Sequence, residues 1–498
     1  MSLKQETLTF DRMKPWCAET GVNAKELLED GLTLLSVSAS ACCGRTEVLK
    51  EEILAEGTVT FCALLRTREG DVRSLTRTER FSFSKKTSED AGENAHLFLK
   101  AEPENIRGYQ EAGSLMLSCR VRLSGLLIVP VSLNLPVLTE DHCFLKKQTV
   151  SLLHVPMIRN LRFSVAADTT LSPRMPEVRK VLNTKASVCV HEAHLSAGQL
   201  ILGGDLLTQT VYEAEDEYEP VVEVTDRSEF SQLLDVGDAS SSLDLTVSLS
   251  PEDVSVTVEP TEDGEKRKLC FSVLLCGYVF GTEREEKELI TDAFSAEEIL
   301  SCQTETLSLT VPAERSVRTV NQRLTVPLPE GKTAMARINA VTFSVSNDQG
   351  GENGSGTAEA GVLYTAAGTG ELEGFTVSLP LPDDGDRREA SCLTQSVLKD
   401  MQAVLLSGHE VEIRFGLEIV SVPTAELSQQ VVTGVSSEKM EPSEYGLIIC
   451  LVQPGETLWT IAKRYGVSPD TLLKLNPGLT ETPEAGKKIF VFRKLTES

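Results

Sequence analysis

The stretch CLVQPGETLWTIAKRYGVSPDTLLKLNPGL at residues 450–479, followed by KKIFVFR at 487–493, reads as a strand–helix–helix–strand unit. Leu447 to Val452 is an apolar strand closed by the turn Gln453-Pro454-Gly455. Thr457 stands where an N-cap hydroxyl is wanted, and Leu458, Ile461, Ala462 and Tyr465 follow at i, i+3, i+4 and i+7. Gly466 ends this helix at a position that tolerates a left-handed backbone. Ser468-Pro469-Asp470 restarts a helix with an N-cap, a proline in the first turn and an acid near the positive end. Leu472 and Leu475 are expected to face inward, Asn476-Pro477-Gly478 to stop the helix, and Ile489 to Phe492 to form the second strand.

Val452, Gly455 to Trp459, Ile461-Ala462, Tyr465-Gly466-Val467, Leu472 and Leu475-Asn476-Pro477 together resemble the LysM module, a small carbohydrate-binding domain of bacterial cell-wall proteins. The resemblance covers about a tenth of the chain, at 447–494. Two positions depart from the family pattern: Glu456 replaces the usual Asp, and the last strand runs Phe492-Arg493 instead of ending Ile-Pro. The resemblance implies a ligand groove with Gly455, Glu456, Thr457 and Leu458 on one side and Asn476, Pro477, Gly478 and Leu479 on the other. Trp459 neighbours Leu458 and is expected to point away from the module's core. There its ring could stack on a sugar, anchor a protein partner, or pack on a neighbouring strand. Gly455, Thr457 and Asn476 also read simply as turn, cap and helix stop.

The chain has 498 residues, enough for three to five domains, and its 41% hydrophobic content suffices for packed cores. Acids outnumber bases 74 to 48, for a net charge of −26. Residues 447–493 hold six Lys/Arg against four acids, so the rest of the chain carries −28. Such a body repels nucleic acid and anionic membranes. The start, MSLKQETLTFDRMKPW, lacks the apolar core of a signal peptide, and Leu123–Leu138 is cut by Pro130 and Pro136 before it reaches a membrane span. Twelve scattered cysteines, without a C-x-x-C pair, suit a reducing compartment.

Three 32-residue stretches, Leu34–Leu65, Val181–Tyr212 and Thr333–Tyr364, align without gaps, with Gly57, Gly204 and Gly356 in register. Each reads as strand, polar connection, strand, with the glycine marking a bulge or a close backbone approach. A second half follows in each copy. Leu115, Leu117, Cys119, Val121 and Leu123 alternate in the first, Leu269 to Leu275 in the second, and Val411, Ile413 and Phe415 in the third. Period two means a sheet with one buried face. Gly125, Gly277 and Gly416 are expected to close these runs. The architecture expected is mainly β, with three tandem sandwich- or barrel-like domains at 1–140, 141–305 and 306–437. A linker at 438–446 leads to the βααβ unit.

Pro176-Glu177, the strand to Leu182, Gly204 to Leu207 and Val211-Tyr212 resemble tandem SPOCS domains of spore coat proteins, as do Pro329-Glu330, Gly356 and Leu363-Tyr364. The first copy diverges, lacking Pro-Glu and ending Leu64-Leu65. With the C-terminal module, the whole chain resembles the SipL-like family of spore coat morphogenesis proteins. That resemblance implies a non-enzymatic adaptor in the mother-cell cytoplasm at the forespore surface, tethering coat proteins. Its LysM unit would dock a coat morphogenetic ATPase. The alternative is a binder of peptidoglycan or another N-acetylglucosamine-containing glycan.

No catalytic residue, metal ligand or cofactor is assigned. His191-Glu192-Ala193-His194 lies in a strand-like run, where i and i+3 face opposite sides and the rings diverge. Gly350 to Gly356 lacks the Lys-Ser/Thr ending of a phosphate loop and reads as a hairpin tip. The acids between Glu213 and Glu219 lack calcium-loop spacing and read as a solvated loop.

Overall fold

A computed structural model describes residues 4–50, 52–86, 94–138, 143–216, 219–237, 240–312, 316–346, 356–381, 392–439 and 446–492. The Gly350–Ser355 hairpin tip and most of the linker lie outside them. Strands run in three sets. The first holds β1 (Gln5–Leu27), β2 (Thr33–Val48), β3 (Glu52–Arg66), β4 (Val72–Lys86), β5 (His96–Glu111) and β6 (Ser114–Pro136). The second holds β7 (Phe144–Thr170), β8 (Val178–Ser196), β9 (Gln199–Ala214), β10 (Val221–Asp235), β11 (Asp244–Glu259) and β12 (Lys268–Phe294). The third holds β13 (Glu298–Pro312), β14 (Ser316–Pro327), β15 (Met335–Ser346), β16 (Thr357–Ala366), β17 (Leu372–Pro380), β18 (Cys392–Ser407) and β19 (Glu410–Lys439). The C-terminal unit comprises β20 (Leu447–Leu451), α1 (Leu458–Tyr465), α2 (Pro469–Leu475) and β21 (Lys488–Phe492).

Each set makes two sheets: an antiparallel meander (β2-β3-β4, β8-β9-β10, β15-β16-β17) and a sheet of long strands (β1-β6-β5, β7-β12-β11, and β19 with β13, β14 and β18). The alternating residues of the long strands fill the space between. Leu115, Leu117, Val121 and Leu123, Leu269, Val273 and Leu275, and Val411 and Ile413 are all 0–1% exposed. Each sandwich has its own core, and Leu207 of the second copy joins that of the third.

The repeat glycines act as expected in the first two copies. A Cβ on Gly57 would lie 2.2 Å from the Cys42 carbonyl oxygen, and one on Gly204 2.1 Å from that of Cys189. The facing strand bulges beside each, at Gly44 and at His191. Two corrections follow from strand pairing. Leu34 pairs with Leu65 and Val181 with Tyr212, but in the third copy Ile338 pairs with Tyr364. That hairpin is therefore five residues shorter, and the gap-free alignment holds there only for the second strand. Gly125, Gly277 and Gly416 do not end their strands but sit inside β6, β12 and β19. A Cβ at Gly125 would lie 1.7 Å from the Phe98 carbonyl oxygen, and at Gly277 2.0 Å from that of Ser248, so these glycines admit a neighbouring strand.

Beyond those glycines the long strands pair on as two-stranded ribbons: β1 with β6, β7 with β12, and β13 with β19. The ribbons pack on one another through Leu8 and Phe10, Val150, Leu152 and Leu289, and Leu307, Leu309 and Val431. The meanders meet in a second shared cluster of three residues per copy: Leu35, Leu64 and Val72; Leu182, Val211 and Val221; Ala340, Leu363 and Leu372. The last strand of each meander also lies beside the first strand of the next, β4 by β8, β10 by β15 and β17 by β2. The body is thus a pseudo-threefold ring of copies built from one chain. Residues of all three copies line a cavity of about 520 Å³.

Candidate functional site

The C-terminal unit forms as its caps dictate. The Thr457 hydroxyl accepts from the Thr460 N–H at 3.2 Å, and the Thr457 N–H donates to the Thr460 hydroxyl at 2.8 Å. Gly466 takes a left-handed φ of 64°, and the Ser468 hydroxyl accepts from the Thr471 N–H at 3.0 Å. Ile461, Ala462, Leu472, Ile489 and Val491 are fully buried. Leu475 is 38% exposed: α2 has only seven residues, and Leu472 already fills its inner face.

The two expected groove loops adjoin. The Leu458 N–H, at the start of α1, donates to the Glu481 carbonyl at 2.8 Å, and the Leu479 N–H donates to the Asn476 carbonyl at 3.0 Å. Gly455, Pro477 and Gly478 are exposed, Glu456 and Thr457 are half-buried, and Leu458, Asn476 and Leu479 are buried. Gly455 and Gly478 have φ of 82° and 81°, so both tips are tight turns. Most polar side chains of these loops already have internal partners. Glu456 pairs with Arg464 at 2.5 Å and accepts from the Gln453 N–H at 2.7 Å. Asn476 behaves as a strand-edge clasp: its amide donates to the Leu472 and Phe490 carbonyls, and its oxygen accepts from the Phe490 N–H at 2.7 Å. Burial, then the nearby Cys450, raises the Tyr465 hydroxyl pKa above its usual range.

Trp459 does point away from the module's core, yet its ring is covered from within the chain. Its Nε1–H donates to Asp292 Oδ2 at 2.8 Å, and its ring stands edge-on to Phe294 at 5.0 Å and 68°. Phe294 in turn meets Phe144 at 4.9 Å, and Lys463 Nζ reaches Asp292 Oδ1 at 2.5 Å. The module is therefore seated on the end of the β7–β12 ribbon, and its locally positive charge faces an acid there. Of the three readings for this tryptophan, the structure realises packing on a neighbouring strand.

A different surface is open. Leu447, Ile449 and Leu451 on β20 are 62%, 61% and 50% exposed, and Phe490 and Phe492 on β21 are 43% and 49% exposed. Leu447 pairs with Phe492 and Ile449 with Phe490, so the five side chains form one apolar patch on the sheet's outer face. The alternation Leu447, Ile449, Leu451 was visible in the sequence, but the strand reads as a buried run there because Ile448, Cys450 and Val452 are apolar too.

Comparison with known families matches the LysM domain to residues 450–492 and the SipL SPOCS domain to residues 177–259. The chain carries a SPOCS domain and a LysM domain. The SPOCS match spans β8 to β11 of the second copy, whose strand order the first copy repeats. No curated protein and no solved structure matches the chain. Tyr212 explains one SPOCS signature: its hydroxyl donates to the Pro176 carbonyl at 3.1 Å, tying the end of the second meander strand to the Pro-Glu that precedes the first. Both are binding or adaptor domains without catalytic function, and the pairing fits a spore-coat-related protein with a LysM binding module. The LysM domain suggests glycan binding, and the SipL domain suggests interactions with coat proteins. Among the described residues, no helix is long and apolar enough to cross a membrane.

Proposed function

We propose that this protein is a non-enzymatic adaptor of spore coat assembly, acting in the mother-cell cytoplasm at the forespore surface. Its three SPOCS-like domains, at 1–140, 141–305 and 306–437 with the second boundary drawn back to the start of β13 at Glu298, form a scaffold that offers surface to coat proteins. The LysM domain docks a coat morphogenetic ATPase. In support, every sheet of the body draws its strands from one of those three segments.

The observation that carries the docking reading is the exposed patch of Leu447, Ile449, Leu451, Phe490 and Phe492. The side chains of Glu456, Thr457 and Asn476, which could otherwise bind a glycan, are engaged internally. Contiguous apolar surface rimmed by polar residues suits a protein interface. Gly455 to Leu458 and Asn476 to Leu479 then form the rim of that interface or a secondary groove, and Trp459 fixes the module's orientation on the scaffold. The test uses the full chain and its Ile449→Asp/Phe490→Asp variant as baits in extracts of sporulating cells, alongside calorimetry with N-acetylglucosamine oligomers. Recovery of a coat-associated ATPase by the parent and its loss with the variant supports the reading. Glycan binding without ATPase recovery replaces it with a wall-binding role.

A further inference from the structure

The bulge at His191 does more than admit Gly204. Cys189 and His191 lie two residues apart on β8, and Glu418 approaches from β19 of the third copy. Cys189 Sγ is 3.0 Å from Glu418 Oε1, His191 Nδ1 is 3.2 Å from the same oxygen, and the sulfur is 4.0 Å from Nδ1. The three donors thus converge from two copies of the repeat. They border a pocket of about 10 Å³, room for a single small ion or water.

We propose that Cys189, His191 and Glu418 bind one Zn²⁺ ion that clamps the second copy to the third. Tetrahedral zinc with one sulfur, one imidazole nitrogen and one carboxylate oxygen holds its ligand atoms about 3.3–3.6 Å apart. The three observed separations lie within about 0.5 Å of those edges. The mixed sulfur, nitrogen and oxygen set suits zinc and disfavours calcium or magnesium, which take oxygen ligands. On binding, the Cys189 S–H bond gives way to a Zn–S bond and the proton leaves to solvent, while bulk water reaches the fourth position from the solvent side, where the His191 side chain is 39% exposed.

A second shell of the kind such sites need is already in place. His191 Nε2 lies 2.5 Å from Asp205 Oδ2, and Arg227 holds the same carboxylate. An imidazole whose far nitrogen donates to a carboxylate has its tautomer and ring plane fixed, with the near nitrogen free to ligate. His194, the other histidine of the local pair, turns away to Glu192 at 3.3 Å.

The equivalent positions set this one apart. Strand register makes Cys42, Cys189 and Ser346 counterparts, and each reaches the following copy. Cys42 meets the Cys276 sulfur at 3.1 Å and Ser346 donates to Glu104 at 2.7 Å, but only Cys189 has a histidine two residues on.

The test is Co²⁺ titration of the chelator-stripped full-length protein, followed by Zn²⁺ competition. Expected is one equivalent of Co²⁺ with a thiolate-to-cobalt charge-transfer band, displaced by Zn²⁺. Cys189→Ser should abolish that band, and His194→Ala should leave it unchanged. Asp205→Asn should keep the band while weakening Zn²⁺ binding about 10–100-fold. Circular dichroism of each apo-variant confirms the fold. Absence of the band in the folded parent, or its persistence in Cys189→Ser, overturns the assignment.

Discussion

Replacing Trp459 by Ala should release the LysM domain from the scaffold while leaving the β body intact. Two contacts are lost. An edge-to-face ring pair like that with Phe294 contributes about 0.5–1.5 kcal/mol beyond area burial. A hydrogen bond to a carboxylate contributes about 1.5–3 kcal/mol when buried, but the Asp292 side chain is 27% exposed and still holds Lys463, so about 1 kcal/mol is the better figure. With the lost ring area, the seat should weaken by about 2–3 kcal/mol, roughly 30- to 150-fold in the docking equilibrium. Hydrogen exchange reads this directly, because the Ala293 N–H donates to Asp292 Oδ1 at 2.9 Å and lies at the contact. Exchange at Asp292–Phe294 should accelerate in Trp459→Ala and change by an intermediate amount in Trp459→Phe, which keeps ring contact. Amides of β9 and β12 within the second sandwich should stay protected. Unchanged exchange at the ribbon end in Trp459→Ala would refute the seat, and loss of protection throughout the second sandwich would refute its local character.

Three further outcomes follow from the body. Burial raises the Glu223 pKa from 4.5 to about 7 even though the Val341 N–H donates to it, so the folded protein binds a proton more tightly than the unfolded one. Stability should therefore fall as pH rises from about 4.5 to about 7, by up to about 3 kcal/mol for this group, and Glu223→Gln should flatten that slope in urea melts. Gly125→Ala, whose new Cβ would lie 1.7 Å from a carbonyl oxygen, should cost about 3 kcal/mol or more, while Gly21→Ala, with nothing within 4 Å, should change stability by about 0.5 kcal/mol or less. Diamide should join Cys42 to Cys276, now 3.1 Å apart as thiols. The Cys42 hydrogen bond lowers the Cys276 pKa, so Cys276 attacks first and Cys42 resolves, with diamide taking two electrons and two protons. A non-reducing peptide map without that crosslink would show that the sulfurs do not meet.

What the sequence made legible was local. Thr457, Gly466 and Ser468 fix the helix ends through hydrogen bonds to residues three or four positions away, so capping chemistry is readable in the letters. The period-two runs at Leu115–Leu123 and Leu269–Leu275 gave buried faces because a sheet face depends on parity alone. What escaped depends on distant partners. Gly125 and Gly277 read as strand ends, since nothing nearby in sequence announces the strand that crosses them. Trp459 lies 167 residues from Asp292, and Cys189 lies 229 from Glu418, so neither contact leaves a spacing signal. The five-residue shortening of the third hairpin was hidden because its second strand kept register while its first slid.

The most direct test of the adaptor account is the dissociation constant between the purified full-length protein and the purified coat morphogenetic ATPase, measured for the parent and for Phe490→Asp. Phe490 is 43% exposed at the centre of the patch, and a charge placed there should remove a hot-spot contact of about 2 kcal/mol or more. The account predicts binding by the parent and at least about 30-fold weaker binding by the variant, with no competition from N-acetylglucosamine oligomers. Equal affinities, or an ATPase that binds neither protein, would contradict it.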